Sequence, residues 1–335
     1  MNIDKKIRTF GDLKESILGK KDALETLLQK TEMHNRWFTQ FHLRLSLQVF
    51  AENYFAEEKL HDWANKYVIP EEKMKTVGLI LAGNIPFVGM HDLICVLMSG
   101  NKAKIKLSSK DMFFFPYLYQ KLIELDRDFT GQVEFVDRLE NFDAIIATGS
   151  NNSARYFEYY FGKYPNIIRK NRTSIAIISD DDTDDRLFEL GKDVFYYFGL
   201  GCRNVSKVYL PAGFEVERLF RIWEDYRYVI ENNKYKNNYD YNRTLLLLNQ
   251  TPHLANDFFM MVEEEKLFSP LANLYYEFYD TREALTEKIS AIAENLQCVV
   301  ANMEGNTPFG KTQYPGLSDY ADHVDTMEFL NRFNM

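Results

Sequence analysis

The sequence predicts an α/β protein built from two domains of alternating strands and helices, with a helical cover at the N-terminus. Two observations carry this. From Thr76 onward short apolar runs alternate with amphipathic segments, and the pattern repeats after NIIRKNRTSIAIIS, from about residue 183, which marks mainly parallel, doubly wound sheets. Before about residue 70 the apolar residues instead recur at helical spacing, with no strand-like run.

Taken in order, helices are expected over Phe10–Leu18 and Lys21–Leu28, then over a long amphipathic segment, FHLRLSLQVFAENYFAEEKLHDWANKY, ending before Pro70. Next come strand VGLILA, helix VGMHDLICVLMS closed by Gly100 and Asn101, strand AKIKL and a helix opened by Ser108 or Ser109. Strands VEFV and DAIIAT and helix ARYFEYYF complete the first set. The second set reads as helix 183–198, strand 206–210, helix VERLFRIWEDYRYVIEN, a polar KYKNNYDYNR connection, strand LYYEFYD, helix REALTEKISAIAENL and strand CVVANM. A last helix is expected from Ser318.

At 335 residues, 46% of them hydrophobic, the chain has material for one large or two medium cores. The net charge of −9 without a basic cluster argues against a nucleic-acid partner, and KYKNNYDYNR reads as a solvated loop. No run of about 18 apolar residues occurs, so no membrane span is expected. The three cysteines, Cys95, Cys202 and Cys298, form no CxxC pair or zinc spacing, which points to a reducing, cytoplasmic setting and to no metal site.

The stretch FGLGCRNVSKVYLP places Cys202 on a turn between a helix and a strand, after Gly199 and Gly201 and before Arg203, whose charge favours a thiolate. From these residues alone Cys202 is either a nucleophile or a small buried hydrophobe. In LAGNIPFVG the Asn84 amide falls at the carboxyl end of a strand, as an oxyanion donor or as a turn residue capping the next helix. In IIATGSNNSARYF, Gly149 and Ser150 meet a helix N-terminus that suits a pyrophosphate or is ordinary capping. Lys106, ending a strand before Ser108 and Ser109, reaches a ribose or phosphate or is a surface lysine. His91 and Asp92 open a helix as a proton relay or as dipole partners, while Cys95 and Cys298 read as core.

In this order the motifs resemble the aldehyde dehydrogenase superfamily, most closely its acyl-CoA reductase branch of LuxC-like fatty-acid reductases. LAGNIP resembles the oxyanion turn, KLSS the ribose-contacting lysine, ATGSNNSARYF the phosphate-side helix start and FGLGCRNVSKVYLP the nucleophile segment. EKLFSPL resembles the Phe-Gly-Pro cofactor loop and PFGKTQ the Pro-Phe-Gly return segment, so the likeness runs from about residue 75 to the end.

The resemblance implies an aldehyde-dehydrogenase-like fold of two Rossmann-like domains. Residues 1–174, completed by 305–335, form the cofactor domain, residues 175–304 the catalytic domain, and the cleft lies at their junction. It implies Cys202 as nucleophile, Asn84 and the Cys202 backbone amide as oxyanion donors, and Lys106, Ser109, Gly149, Ser150 and Phe268 as cofactor contacts. The cofactor is NADP or NAD, with NADPH favoured because Ser109 stands where a family glutamate repels a 2′-phosphate, and coenzyme A enters as part of the substrate.

The implied activity is reduction of a fatty acyl-CoA to the aldehyde. The alternatives are an aldehyde dehydrogenase that forms the free acid, or a non-catalytic scaffold. A homo-oligomer and acyl-activating or acyl-transferring partners are also implied. The chain departs from the family in being short, in Ser269 for the loop glycine, and in Ile168 at the position of the general-base glutamate.

Overall fold

Parallel strands need a crossover between them, and the alternating pattern supplies one after nearly every apolar run. The computed structural model describes residues 2–19, 22–69 and 74–334. It divides into two units, one of Met1–Asn171 with Pro315–Met335 and one of Arg172–Tyr314.

In the first unit, helices α1 (Ile3–Leu18), α2 (Asp22–His34), α3 (Gln40–Val49) and α4 (Glu57–Ala64) form the N-terminal cover. The long amphipathic segment is therefore two helices, separated by a π-helical turn at Phe50–Tyr54. Strands β1 (Thr76–Ile80), β2 (Lys102–Lys106), β3 (Val133–Phe135), β4 (Ala144–Thr148) and β5 (Asn166–Arg169) make a parallel sheet in the order β3-β2-β1-β4-β5. Helices α5 (Met90–Met98), α6 (Phe114–Leu125) and α7 (Asn151–Phe161) are its crossovers.

Leu79, Ile105, Ile145 and Ala147 are fully buried in this sheet. Gly78, in the middle of β1, lies directly against Leu139 and Phe142: a Cβ there would be 3.4–3.5 Å from their side chains. Beneath α5 sits a buried ion pair, in which Arg169 donates to both Asp92 oxygens at 2.5 and 2.8 Å and to Thr326 Oγ1 at 3.2 Å.

The second unit holds β6 (Thr173–Ile177), α8 (Asp184–Phe195), β7 (Val205–Pro211), α9 (Glu217–Ile222) and α10 (Asn233–Leu248). These are followed by β8 (Leu254–Ala255), β9 (Met260–Glu263), β10 (Asn273–Tyr279), α11 (Arg282–Ala291) and β11 (Leu296–Val300). The sheet order is β11-β6-β7-β10-β9-β8, parallel except for the β8-β9 pair. Its core gathers Ile175, Ile177, Tyr209, Leu285, Leu296 and Ala301. Helix α12 (Thr326–Asn334) closes the chain in the first unit.

Four expectations are corrected. KYKNNYDYNR is not a loop: it lies in α10, because Asn232 Oδ1 caps the N–H groups of Lys234 and Tyr235, and Tyr235 and Tyr239, four residues apart, bury one face. The helix after Ser108 starts only at Phe114, since Ser108 and Asp111 first close a turn, with Asp111 N donating to Ser108 O at 3.0 Å. The final helix starts at Thr326 rather than Ser318, where Asp325 Oδ1 accepts from Glu328 N at 2.8 Å.

Residues 305–314, assigned by resemblance to the first domain, belong to the second unit. Thr307 bridges to Val300, and the Asp193 carboxylate accepts from Gly310 N at 2.6 Å, Thr312 N at 3.0 Å and Thr312 Oγ1 at 2.8 Å.

Removing one partner of a buried ion pair strands the other charge. Asp92→Ala should therefore cost about 3–5 kcal/mol, read as a lowered urea midpoint. The double change Asp92→Leu with Arg169→Met should recover most of the loss, and a single-variant loss under about 1 kcal/mol would deny the pair this role.

Candidate active site

Cys202 is half-buried on the turn between α8 and β7. Before it, Tyr197, Phe198 and Gly199 follow one another at φ 52°, 59° and 75°. Asn204 closes the turn behind it: its N–H donates to Gly201 O at 3.0 Å and its Oδ1 accepts from Gly201 N at 2.9 Å. Ser174 Oγ, at the start of β6, donates to Cys202 O at 3.0 Å and accepts from Cys298 N at 3.1 Å, tying the turn across to β11.

Arg203, expected beside the Cys202 sulfur, sends Nη1 to within 3.5 Å of Cys298 Sγ. None of the three cysteines is in a disulfide. Cys95 and Cys298 are buried, as their patterns suggest, and burial pushes the Cys95 thiol well above its usual range. Cys202 is the accessible one.

The loop carrying Phe268 is bound to the strand that follows Cys202. Ser206 Oγ donates to Leu267 O at 2.7 Å, and the fully buried Lys207 donates to Glu264 O and Glu265 O, both at 2.8 Å, and to Glu277 Oε2 at 2.7 Å. Phe268 is 45% exposed, so its ring is presented rather than packed. Ser269 Oγ donates to Asn273 O at 2.8 Å, closing the loop where the family carries glycine. A cavity beside this loop has Phe198, Gly199, Val205, Tyr235 and Leu274 among its walls. Glu264 pairs with Lys266 at 3.0 Å, and that hydrogen bond holds its carboxyl below the usual range.

In the first unit the loops after β1, β2 and β4 lie at the carboxyl ends of adjacent strands. β2 and β4 flank β1, which is the switch point where such sheets bind ligands. Asn84 is exposed in the first loop, Lys106 at the end of β2 and Ser109 in the loop that follows it, and Ser150 in the third. The first two loops interlock: a Cβ on Gly83 would fall 2.4 Å from Ser108 Oγ, and the buried Asp111 accepts from Phe87 N at 2.7 Å. In the third, Ser150 caps α7, and a Cβ on Gly149 would sit 2.8 Å from Ser153 Cβ and 2.9 Å from the Phe157 ring. Only glycine lets β4 turn so tightly into the helix.

The sequence's other relay candidates are occupied: His91 stacks on Tyr320 at 4.9 Å and Asp92 holds Arg169. Ile168, on β5 beside β4, is half-buried. Asp111, Ser174, Asp193 and Asn204 escaped the sequence reading. A polar residue two positions after the nucleophile was the visible signal for Asn204.

The fold is that of the aldehyde dehydrogenases. Aldehyde dehydrogenase 21 of Physcomitrella patens, solved with succinate, matches with a TM-score of 0.65 at 13% identity over 91% of this chain and 74% of that one. The Mycobacterium tuberculosis aldehyde dehydrogenase solved with NAD+ gives 0.66 at 13% identity over 90% and 73%.

Within that fold the chain belongs to the acyl-CoA reductase (LuxC) family, whose model matches residues 23–217. It is also similar to long-chain acyl-protein thioester reductase 2 of Photobacterium leiognathi, at 24% identity over 159 residues, 43% of this chain. The alignment spans only 33% of that relative. Among the described residues no helix is long and apolar enough to cross a membrane.

Burial pushes the Asp111 carboxyl up to about 7, against the Phe87 N–H that favours its charge. Its Oδ1 has no hydrogen-bond partner among the described residues. A folded-state pKa above the unfolded one means the native state holds the extra proton, so this group's contribution is present at low pH and is lost as pH rises towards 7. Wild-type unfolding free energy should therefore gain about 1–3 kcal/mol relative to Asp111→Asn as pH falls from 8 to 5. Parallel pH profiles for the two proteins in chemical denaturation would contradict this.

Proposed function

We propose that this protein reduces an acyl thioester to the aldehyde with NADPH or NADH, carrying the acyl group on Cys202. The observation that supports it most is the presentation of Cys202. The accessible thiol stands on a turn that follows a left-handed run and is fixed by Asn204 and Ser174, while the other two thiols are buried. In the first step the Cys202 thiolate attacks the thioester carbonyl, the new S-acyl bond forms, the bond to the carrier sulfur breaks, and the carrier, coenzyme A or a protein thiol, leaves as its thiolate and takes a proton from solvent. A bound reduced nicotinamide supplies the hydride that reduces the acyl carbon. The bond to Cys202 Sγ then breaks, restoring the thiolate and releasing aldehyde.

Asn84 and the Cys202 backbone amide take the oxyanion role, worth in other enzymes about 3–4 kcal/mol per donor. The residues of the first unit suit a dinucleotide: a switch-point sheet, a capped helix start at Gly149 and Ser150, and exposed Lys106 and Ser109 at and just after the end of β2. Phe268 provides an exposed ring for the nicotinamide side, and Ser109 brings no negative charge against a 2′-phosphate. The apolar walls of the cavity beside Phe198 suit an acyl tail, and an acyl-activating or acyl-transferring enzyme would deliver the thioester.

Ile168 decides the fate of the acyl group. Discharge to free acid needs a base to take a proton from water, a contribution of about 10²–10⁴-fold, and isoleucine has none to offer. Of Glu264 and Glu265, the two acids just before the Phe268 loop, Glu264 is engaged with Lys266. Thioesters of graded chain length, offered with NADPH or NADH, should give aldehyde, with NADPH at least as effective and Cys202→Ala inactive but still binding cofactor. Run in reverse, aldehyde oxidation should require added coenzyme A. Rapid acid formation without coenzyme A would sink the reductase reading.

A further inference from the structure

Three consecutive left-handed residues are rare outside glycine runs, and here two of them, Tyr197 and Phe198, carry bulky side chains. Such strain persists only where the surroundings over-determine it. Both aromatic side chains are buried, Phe198 near Tyr235 with ring centres 5.9 Å apart. The second restraint is one amide. Asn204, 2% exposed, donates through Nδ2 to Tyr196 O at 2.8 Å and to Asp193 O at 3.0 Å, and accepts through Oδ1 from Gly201 N at 2.9 Å.

Those bonds close on both sides of the strained run, on Tyr196 just before it and on Gly201 just before the nucleophile. Asn204 is itself anchored to the sheet, since its carbonyl accepts from Ser174 N at 3.2 Å. Asp193 extends the network, because the carboxylate of the residue whose carbonyl receives Asn204 holds Gly310 and Thr312. Two donations and one acceptance from a single short side chain require an amide. A carboxylate of the same shape has no N–H to give and would face two carbonyl oxygens.

We propose that Asn204 is a positioning residue for Cys202: its amide staples the left-handed run and so sets where the sulfur stands and how readily it reacts. The proposal rests on the reading that Cys202 is the nucleophile. Asn204 acts through the turn and makes no contact with substrate.

The test compares wild type with Asn204→Ala and with Asn204→Asp, which keeps the shape but loses both donors. Iodoacetamide labelling of Cys202 is followed by peptide mass spectrometry across pH 5–9, alongside kcat and KM for acyl-thioester reduction and the melting temperature. Both variants should label Cys202 with a rate and pH profile that depart from those of wild type. Their kcat should fall by about 10–100-fold with KM nearly unchanged, while Cys95 stays protected.

A purely structural residue would lower the melting temperature and leave the labelling profile alone. Wild-type labelling and kcat in a folded variant overturn the proposal, as does unfolding of both variants, which would make Asn204 a residue of the fold only. If the labelling profile shifts but wild type reduces no thioester, the functional reading fails and the positioning role stands.

Discussion

Parallel strand pairing is the constraint from which the rest follows. Because each strand must be followed by a crossover before the next can pair, the loops leaving β1, β2 and β4 all emerge at one edge of the first sheet, on strands that are direct neighbours. Asn84, Lys106 with Ser109, and Gly149 with Ser150 are spread over 67 positions of sequence yet lie on three adjacent strand ends. In the second sheet the relevant edge is the opposite one. Cys202 precedes β7, Phe268 precedes β10 and Ser174 opens β6, so the turn, the loop and the serine meet at the strands' amino ends.

Burial forces the polar groups at these edges into fixed roles. Lys207 is fully buried in β7 and has three acceptors, two of them backbone carbonyls of the Phe268 loop, which makes it a clamp on that loop rather than a reactive amine. Asp193 is similarly enclosed. Burial lifts its carboxyl to about 6, against the N–H groups of Gly310 and Thr312 and the Thr312 hydroxyl. These contacts, with the Thr307 bridge to Val300, hold residues 305–314 in the second unit.

The strands and most crossover helices were legible because a buried parallel strand writes itself as an apolar run between turn residues. The helix α10 was not, since only Tyr235 and Tyr239 of KYKNNYDYNR turn inward and the polar remainder hides the period. Ser108 and Ser318 looked like helix caps because serine before an apolar segment usually is one; here local turns intervene before Phe114 and Thr326. Cys202 and Phe268 stood out in sequence by motif. The residues that hold them in place, Ser174, Asp193, Asn204 and Lys207, did not, because their work depends on partners that only folding brings near, up to 124 positions apart in the case of Ser174 and Cys298.

The central claim is that Cys202 bears the acyl group, and it is tested most directly without turnover. The protein is incubated with an acyl-CoA in the absence of reduced cofactor and its intact mass is measured, followed by peptide mapping. The account predicts a single acyl adduct on Cys202, released by neutral hydroxylamine and missing from Cys202→Ser. An adduct that maps to another residue, or survives in Cys202→Ser, would contradict it.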